Sequence, residues 1–314
     1  MKAILSIDGG GIRGVLPALV LAQIESRVGR PIARCFDLIA GTSTGGILAL
    51  GLGKDNGQGV PQYSAQALAD MYEQHGKEIF SRSLWRGVSS VGGLLDETYT
   101  HKGLERLLEH YFDDEPLGAS LTRLLLTSYD IHNRKPLFLK SWRQEHRAVL
   151  MRHAARATSA APTYFEPAHI PVDGAKRALV DGGVFINSPS VSAYAEAQRI
   201  FPEEEDFMLV SIGTGELNRP IELRDAKDWG KAGWVAPLLS CIFDGVADAA
   251  DYQMDKILGE NYIRLQTTLD VASDDMDDVT RGNIANLKSE AARLLKTHKT
   301  ELDLVCQRLV DKVN

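Results

Sequence analysis

Three short stretches of this 314-residue chain carry residues able to act together: "DGGGIRG" at Asp8–Gly14, "GTSTG" at Gly41–Gly45 and "DGG" at Asp181–Gly183. In the second, a serine stands between glycines where a strand pattern, "FDLIAG", gives way to a helical one. That G-x-S-x-G arrangement predicts an elbow in which Ser43 takes a strained backbone conformation, tolerated because Gly41 and Gly45 avoid clashes. The hydroxyl then projects above the sheet at a helix N-terminus, where developing negative charge is favoured. The matching chemistry is attack on an acyl carbonyl, which needs a base and an oxyanion site.

A hydrolase triad in the order Ser, Asp, His finds no histidine to complete it. His298 alone follows the later strand patterns, and it lies in a polar terminal helix pattern. The other histidines read as structural, His153 beside Arg152 being the most arguable. Asp181 instead stands at a strand end, and Gly182 and Gly183 after it allow close approach of backbone or substrate. A carboxylate is a weak base at its ordinary pKa of about 3.9. Desolvation beside a serine raises that value and makes it usable. The plain alternative for D-G-G is a tight turn.

The glycines of the first stretch can turn several N–H groups inward without a Cβ penalty, so Gly9, Gly10, Gly11 and Gly14 read as an oxyanion loop. Asp8 and Arg13 are its supporting charges, Arg13 bonding loop carbonyls or a nearby carboxylate. The same glycines spell G-x-G-x-x-G, the alternative being a nucleotide-binding enzyme. A Rossmann domain needs an acidic residue at the end of the second strand, whereas Asp37 begins that strand. An actin-like kinase turns its loop into a second strand, whereas "LPALVLAQIESRV" has helical period. A non-catalytic binding module would be favoured only if Ser43 or Asp181 were absent.

To position these residues, strand and helix patterns alternate. Strands are expected at Ala3–Ile7, Phe36–Gly41, Arg123–Ile131, Ala178–Gly183, Phe207–Gly215 and Tyr262–Thr267. Helices are expected at Leu16–Val28, Ser64–Phe80, His101–Tyr111, Ala148–Ser159 and Ser190–Arg199, with one long amphipathic stretch at Thr280–Val313. Such alternation implies an α/β fold with a mostly parallel central sheet covered on both faces. Residues 1–314 read as one domain, with the motifs in about 1–215 and a helical portion in about 216–314.

The three cysteines suggest neither a disulfide framework nor a zinc site, which fits a reducing compartment. No leader precedes the first strand and no run reaches membrane-span length. A net charge of −7 argues against general attraction to nucleic acid or anionic lipid. "SDDMDDVT", Ser273–Thr280, lacks the glycine and terminal glutamate of an EF-hand loop and reads as acidic capping of a helix start. "WGKAGWVAPLLSCIF", Trp229–Phe243, reads as core or as part of an acyl-chain channel. The Gly/Ser-rich Leu84–Tyr99 segment reads as a mobile cover, with Leu84 and Trp85 meeting lipid and Arg82 and Arg86 reaching phosphates.

Taken together and in order, "DGGGIRG", "GTSTG", "DGG" and the intervening "ARATSAAPTYFEP" (Ala155–Pro167) resemble the patatin-like phospholipases, over about residues 1–215. The resemblance implies a three-layer α/β/α fold and hydrolysis of phospholipid or other lipid acyl esters by a Ser43–Asp181 dyad, without metal or cofactor. It is closest to bacterial members, some of which are antiphage effectors activated by cyclic dinucleotides. With the cysteines and the charge, the expectation is a cytoplasmic protein, peripheral at the inner face of the membrane, with no nucleic-acid partner; monomer and homo-oligomer both stay open.

Overall fold

A computed structural model describes residues 1–80, 97–216 and 220–312. The Leu84–Tyr99 segment lies outside the described residues apart from its last positions. The elements run β1 (Lys2–Ile7), α1 (Val15–Val28), α2 (Ile32–Cys35), β2 (Leu38–Gly41), α3 (Thr44–Gly53), α4 (Ala65–Phe80), α5 (Glu97–Phe112), β3 (Arg123–Asp130) and β4 (Lys135–Lys140). They continue through α6 (Met151–Thr158), β5 (Ala168–Val172), β6 (Ala175–Asp181), α7 (Ser190–Ile200), β7 (Phe207–Ile212), α8 (Leu223–Ala226) and α9 (Gly230–Leu258). The last are β8 (Tyr262–Leu265), α10 (Arg281–Thr297) and α11 (Lys299–Asp311).

Strand alternation divides the interior between two apolar clusters. Ala3, Leu5 and Ile7 of β1 join one cluster, with α1, α3, α4, α10 and α11, while Ile4 joins the other, with α7 and α9. Met208, Val210 and Ile212 of β7 part from Phe207 and Leu209 in the same way. Successive side chains point to opposite faces, so a sheet covered on both sides has strands apolar throughout. The result is the expected three-layer α/β/α architecture.

The hydrogen-bonded path through the sheet is β5-β6-β3-β2-β1-β7-β8, with β4 also on β3. From β3 to β8 this path is parallel, whereas β4, β5 and β6 pair antiparallel. β4 covers one edge of β3 over Leu125–Asp130, and the other edge is shared. Leu38–Gly41 of β2 pairs with Arg123–Leu126, and Leu179–Asp181 of β6 pairs with Ser128–Asp130. The C-terminal ends of β2 and β6 therefore converge head to head on one edge of β3.

Several sequence expectations change. β4 and β5 were not expected. β5, "AHIPV", is short and carries Pro171 at the sheet margin, where a missing N–H is tolerated. The stretch 229–243 lies almost wholly in the long helix α9, which spans Gly230–Leu258. The terminal amphipathic stretch is two helices, the break falling at His298, whose φ −101° and ψ 33° leave the helical range. Both helices pack on α1, and β8 extends the sheet, so the chain after 215 completes the same core.

Candidate active site

The converging ends of β2 and β6 set the site. Past Gly41 the chain enters the elbow, and Ser43 has φ 55° and ψ −122° at the start of α3. Only close backbone packing permits this turn. A Cβ on Gly41 would lie 2.2 Å from Gly45 O, and one on Gly45 would lie 2.2 Å from Ile7 O. The Ser43 N–H donates to Thr158 Oγ1 at 3.0 Å, tying the elbow to the end of α6. Thr127 Oγ1 donates to Thr42 Oγ1 at 2.8 Å, and Thr42 Oγ1 donates to Ile186 O at 2.9 Å. These bonds lock β3, the elbow and the turn after β6 together.

Asp181 is 1% exposed, and it lines the same cleft as Ser43, whose side chain favours its carboxylate form. Its backbone N–H donates to Ala160 O at 3.0 Å, and its Oδ1 accepts from Gly183 N–H at 2.8 Å. Burial pushes its pKa up to about 7, while the bonds from Ser43 and Gly183 lower it less than burial raises it. Gly182 is held against β3, where a Cβ would lie 2.0 Å from Thr127 Oγ1.

The loop after β1 is more differentiated than its sequence suggests. Gly9 N–H donates to Asn187 O at 3.2 Å and is engaged there, so Gly9 serves by close approach, a Cβ falling 3.3 Å from Ser43 Cβ. Gly10 and Gly11 line the cleft with Ser43, and their N–H groups have no partner among the described residues. Gly11 has φ 57°, the left-handed region that favours glycine. Gly14 points elsewhere, packed on Thr44 and Tyr72. Arg13 is buried, and its guanidinium donates to Gly10 O and Gly215 O, so it fastens the loop. Thr214 Oγ1 donates to Gly9 O at 2.7 Å.

Asp8 forms a buried pair with Arg264, Nη2 to Oδ2 at 2.7 Å. Arg264 sits on β8 and reaches across β7, donating to Ser211 Oγ at 2.8 Å on the way. Nothing in the sequence marks Arg264, because its role depends on β1, β7 and β8 lying side by side. Removing one partner from a buried pair strands the other charge, at about 3–5 kcal/mol. Arg264→Gln is therefore expected to lower stability by that order in urea unfolding and to reduce turnover through a loosened loop. Adding Asp8→Asn should restore much of the stability. Wild-type stability in the single variant would show that the pair does not hold the loop.

The cleft at Ser43 has a volume of about 30 Å³ and is walled by Tyr164, Phe165, Phe243 and Met276 as well as by Asp181, Gly10 and Gly11. Tyr164 and Phe165 belong to the "SAAPTYF" stretch, and Phe243, buried on α9, is the last residue of the 229–243 stretch. The acidic run at 273–280 does more than cap α10. Thr280 is the N-cap, but Met276 O accepts from Ile12 N–H at 2.9 Å and lies over Gly11. None of the histidines with described side chains lines the cleft. No group of three or more His, Cys, Asp or Glu among the described residues could hold a metal ion, and no helix among them is long and apolar enough to cross a membrane. Asp37, the residue a Rossmann reading would need, accepts Ala3 N–H at 2.8 Å and pairs with Lys2 and Lys312, at the opposite end of β2 from the elbow.

The family model for patatin-like phospholipase matches residues 5–194. Patatin-like protein 2 of Oryza sativa subsp. indica is 31% identical over 357 residues, covering 99% of this chain and 88% of its own. Patatin-like protein 4 of Arabidopsis thaliana is 29% identical, covering 97% and 86%. Patatin-04/09 of Solanum tuberosum is 29% identical, covering 94% and 84%. Among solved structures, VipD from Legionella pneumophila gives a TM-score of 0.40 at 15% identity, over 95% of this chain and 67% of its own, too loose a likeness to bear on the site.

Proposed function

Since the chain belongs to the patatin-like phospholipase family and is thereby a lipid acyl hydrolase, we propose that it cleaves acyl esters through Ser43 and Asp181, with Gly10 and Gly11 receiving the oxyanion. The observation that carries this reading is a buried carboxylate of pKa about 7 beside a strained serine. Ionised Asp181 takes the Ser43 proton as Oγ attacks the acyl carbonyl. The carbonyl oxygen becomes an oxyanion facing the two unpartnered N–H groups, whose stabilisation is worth about 3–4 kcal/mol per donor. Collapse expels the alcohol, which takes the proton back from Asp181 and leaves Ser43 acylated. Water then attacks the acyl-enzyme, giving its proton to Asp181, and the free acid leaves as that proton returns to Ser43.

At about 30 Å³ the cleft holds about one water, so an acyl chain enters only by displacing side chains such as Phe243 and Met276. The phospholipase A and lysophospholipase reading is tested on a panel of phospholipids, lysophospholipids and neutral glycerides. Free fatty acid should be the product, with release following the carboxylate form of Asp181 as pH rises. A product still bearing both acyl chains would overturn it. Running the panel with and without cyclic dinucleotides tests the activation that bacterial resemblance implies, and with it an antiphage role.

A further inference from the structure

The turn after β6 carries a polar side chain that the acyl-transfer steps above leave unused. Asn187 lies just beyond Asp181 in the chain and lines the cleft with Ser43, Gly10 and Gly11. It is only 6% exposed, yet its carboxamide has no hydrogen-bond partner among the described residues, and neither end of that group is sealed off. The Ser159 hydroxyl on the same wall is spent on Ala155 O at 2.8 Å. An amide largely withdrawn from bulk water is costly while its N–H bonds stay unmade, so Asn187 points to an acceptor that arrives in the cleft.

The chain around Asn187 is fixed from three sides. Ile186 O accepts from Thr42 Oγ1 at 2.9 Å, Asn187 O accepts from Gly9 N–H at 3.2 Å, and the Ser188 side chain bonds the Asp8 carboxylate. The turn is thereby tied both to the elbow and to the loop after β1. A Cβ on Gly9 would stand 2.4 Å from Asn187 Oδ1 and 3.3 Å from Ser43 Cβ. The carboxamide and the nucleophile therefore flank one point over Gly9. Because neither end of the carboxamide is tied, rotation about its Cβ–Cγ bond presents Nδ2 to the cleft at little cost. We propose that Asn187 Nδ2 is a third donor to the oxyanion, beside the Gly10 and Gly11 N–H groups. The bond strengthens as the carbonyl oxygen gains charge, and Asn187 keeps both its protons, so the exchange between Ser43 and Asp181 is unaltered. A neutral amide held in place beforehand stabilises that charge without reorganisation. This role rests on the acyl-hydrolase reading above, which supplies the oxyanion.

Hydrolysis of p-nitrophenyl butyrate, a soluble ester, by the full chain tests it. Asn187→Ala should lower kcat by about 10²–10³. KM should stay within a few-fold, because the bond belongs to the transition state. Asn187→Leu keeps the bulk of the side chain without an N–H, so it should lose as much as Asn187→Ala. Both should melt close to wild type, since the bond to Gly9 uses the backbone carbonyl of residue 187. The midpoint of the pH profile should also stay at its wild-type position, which separates a lost oxyanion donor from a disturbed Asp181. Labelling of Ser43 by a fluorophosphonate should slow along with kcat, because the phosphoryl oxygen enters the same hole. Wild-type kcat in Asn187→Ala, recovery of kcat in Asn187→Leu, or a shifted pH midpoint would overturn the proposal. Should one variant unfold, the other decides by the same readouts. Ser43→Ala, assayed alongside, keeps the two readings apart. Hydrolysis persisting without Ser43 would count against the acyl-hydrolase mechanism itself, whereas an inactive Ser43→Ala beside a fully active Asn187→Ala would remove only the third donor.

Discussion

Ser43→Ala is expected to abolish ester hydrolysis while leaving the fold unchanged. Loss of the nucleophile in a serine hydrolase costs about 10⁶ in kcat. The fold should persist because the local strain belongs to the backbone. Ser43 sits at φ 55° and ψ −122°, which alanine endures as serine does, and the anchoring bond to Thr158 uses the backbone N–H. Ser43→Gly relieves that conformation, whose cost is about 1–3 kcal/mol, so the glycine variant should be inactive yet melt higher than wild type. A fluorophosphonate should label wild type at this residue and neither variant. Hydrolysis by the alanine variant at a wild-type rate would remove Ser43 from the mechanism.

Asp181→Asn should lower kcat/KM by several orders of magnitude, because an amide cannot accept the serine proton. The pH dependence gives a second, independent check. With a folded pKa of about 7, wild-type kcat/KM should rise about tenfold per pH unit below that value and level off above it. Stability runs the other way. The folded pKa is raised above the ordinary 3.8, so the folded state holds the proton more tightly than the unfolded chain. Stability from this group is full below pH 3.8 and falls as pH rises to about 7, by about 4 kcal/mol as an upper scale. Asp181→Asn should therefore raise Tm at pH 8 and change it little at pH 3.5. Substituting each histidine in turn should leave activity within a few-fold. An essential histidine, or a stability gain absent at pH 8, would count against a desolvated aspartate base.

The elbow at Ser43 and the strand end at Asp181 were legible in the sequence because their local geometry is written in their neighbours. Gly41 and Gly45 are demanded by the elbow whatever surrounds it, and strand and helix periods on either side place the serine at a junction. The layered core was legible for the same reason, since a strand buried on both faces must be apolar throughout. That Ser43 meets Asp181 follows from no local pattern and was implied only by the family resemblance. It arises because β2 and β6, 134 residues apart at Leu38–Gly41 and Ala175–Asp181 by their nearest ends, share one edge of β3. Nor could sequence separate the loop glycines: Gly9 loses its N–H to Asn187 O, while Gly10 and Gly11 keep theirs, and that depends on where the chain after β6 runs. Arg264 and Met276 come to the loop from beyond residue 260, brought there by β8 and the turn before α10. Propensity and pattern act over a few residues, so they specify what each segment is. Which donors stay unpaired, and which carboxylate is stripped of water, are properties of surfaces in contact, and only the packed chain decides them.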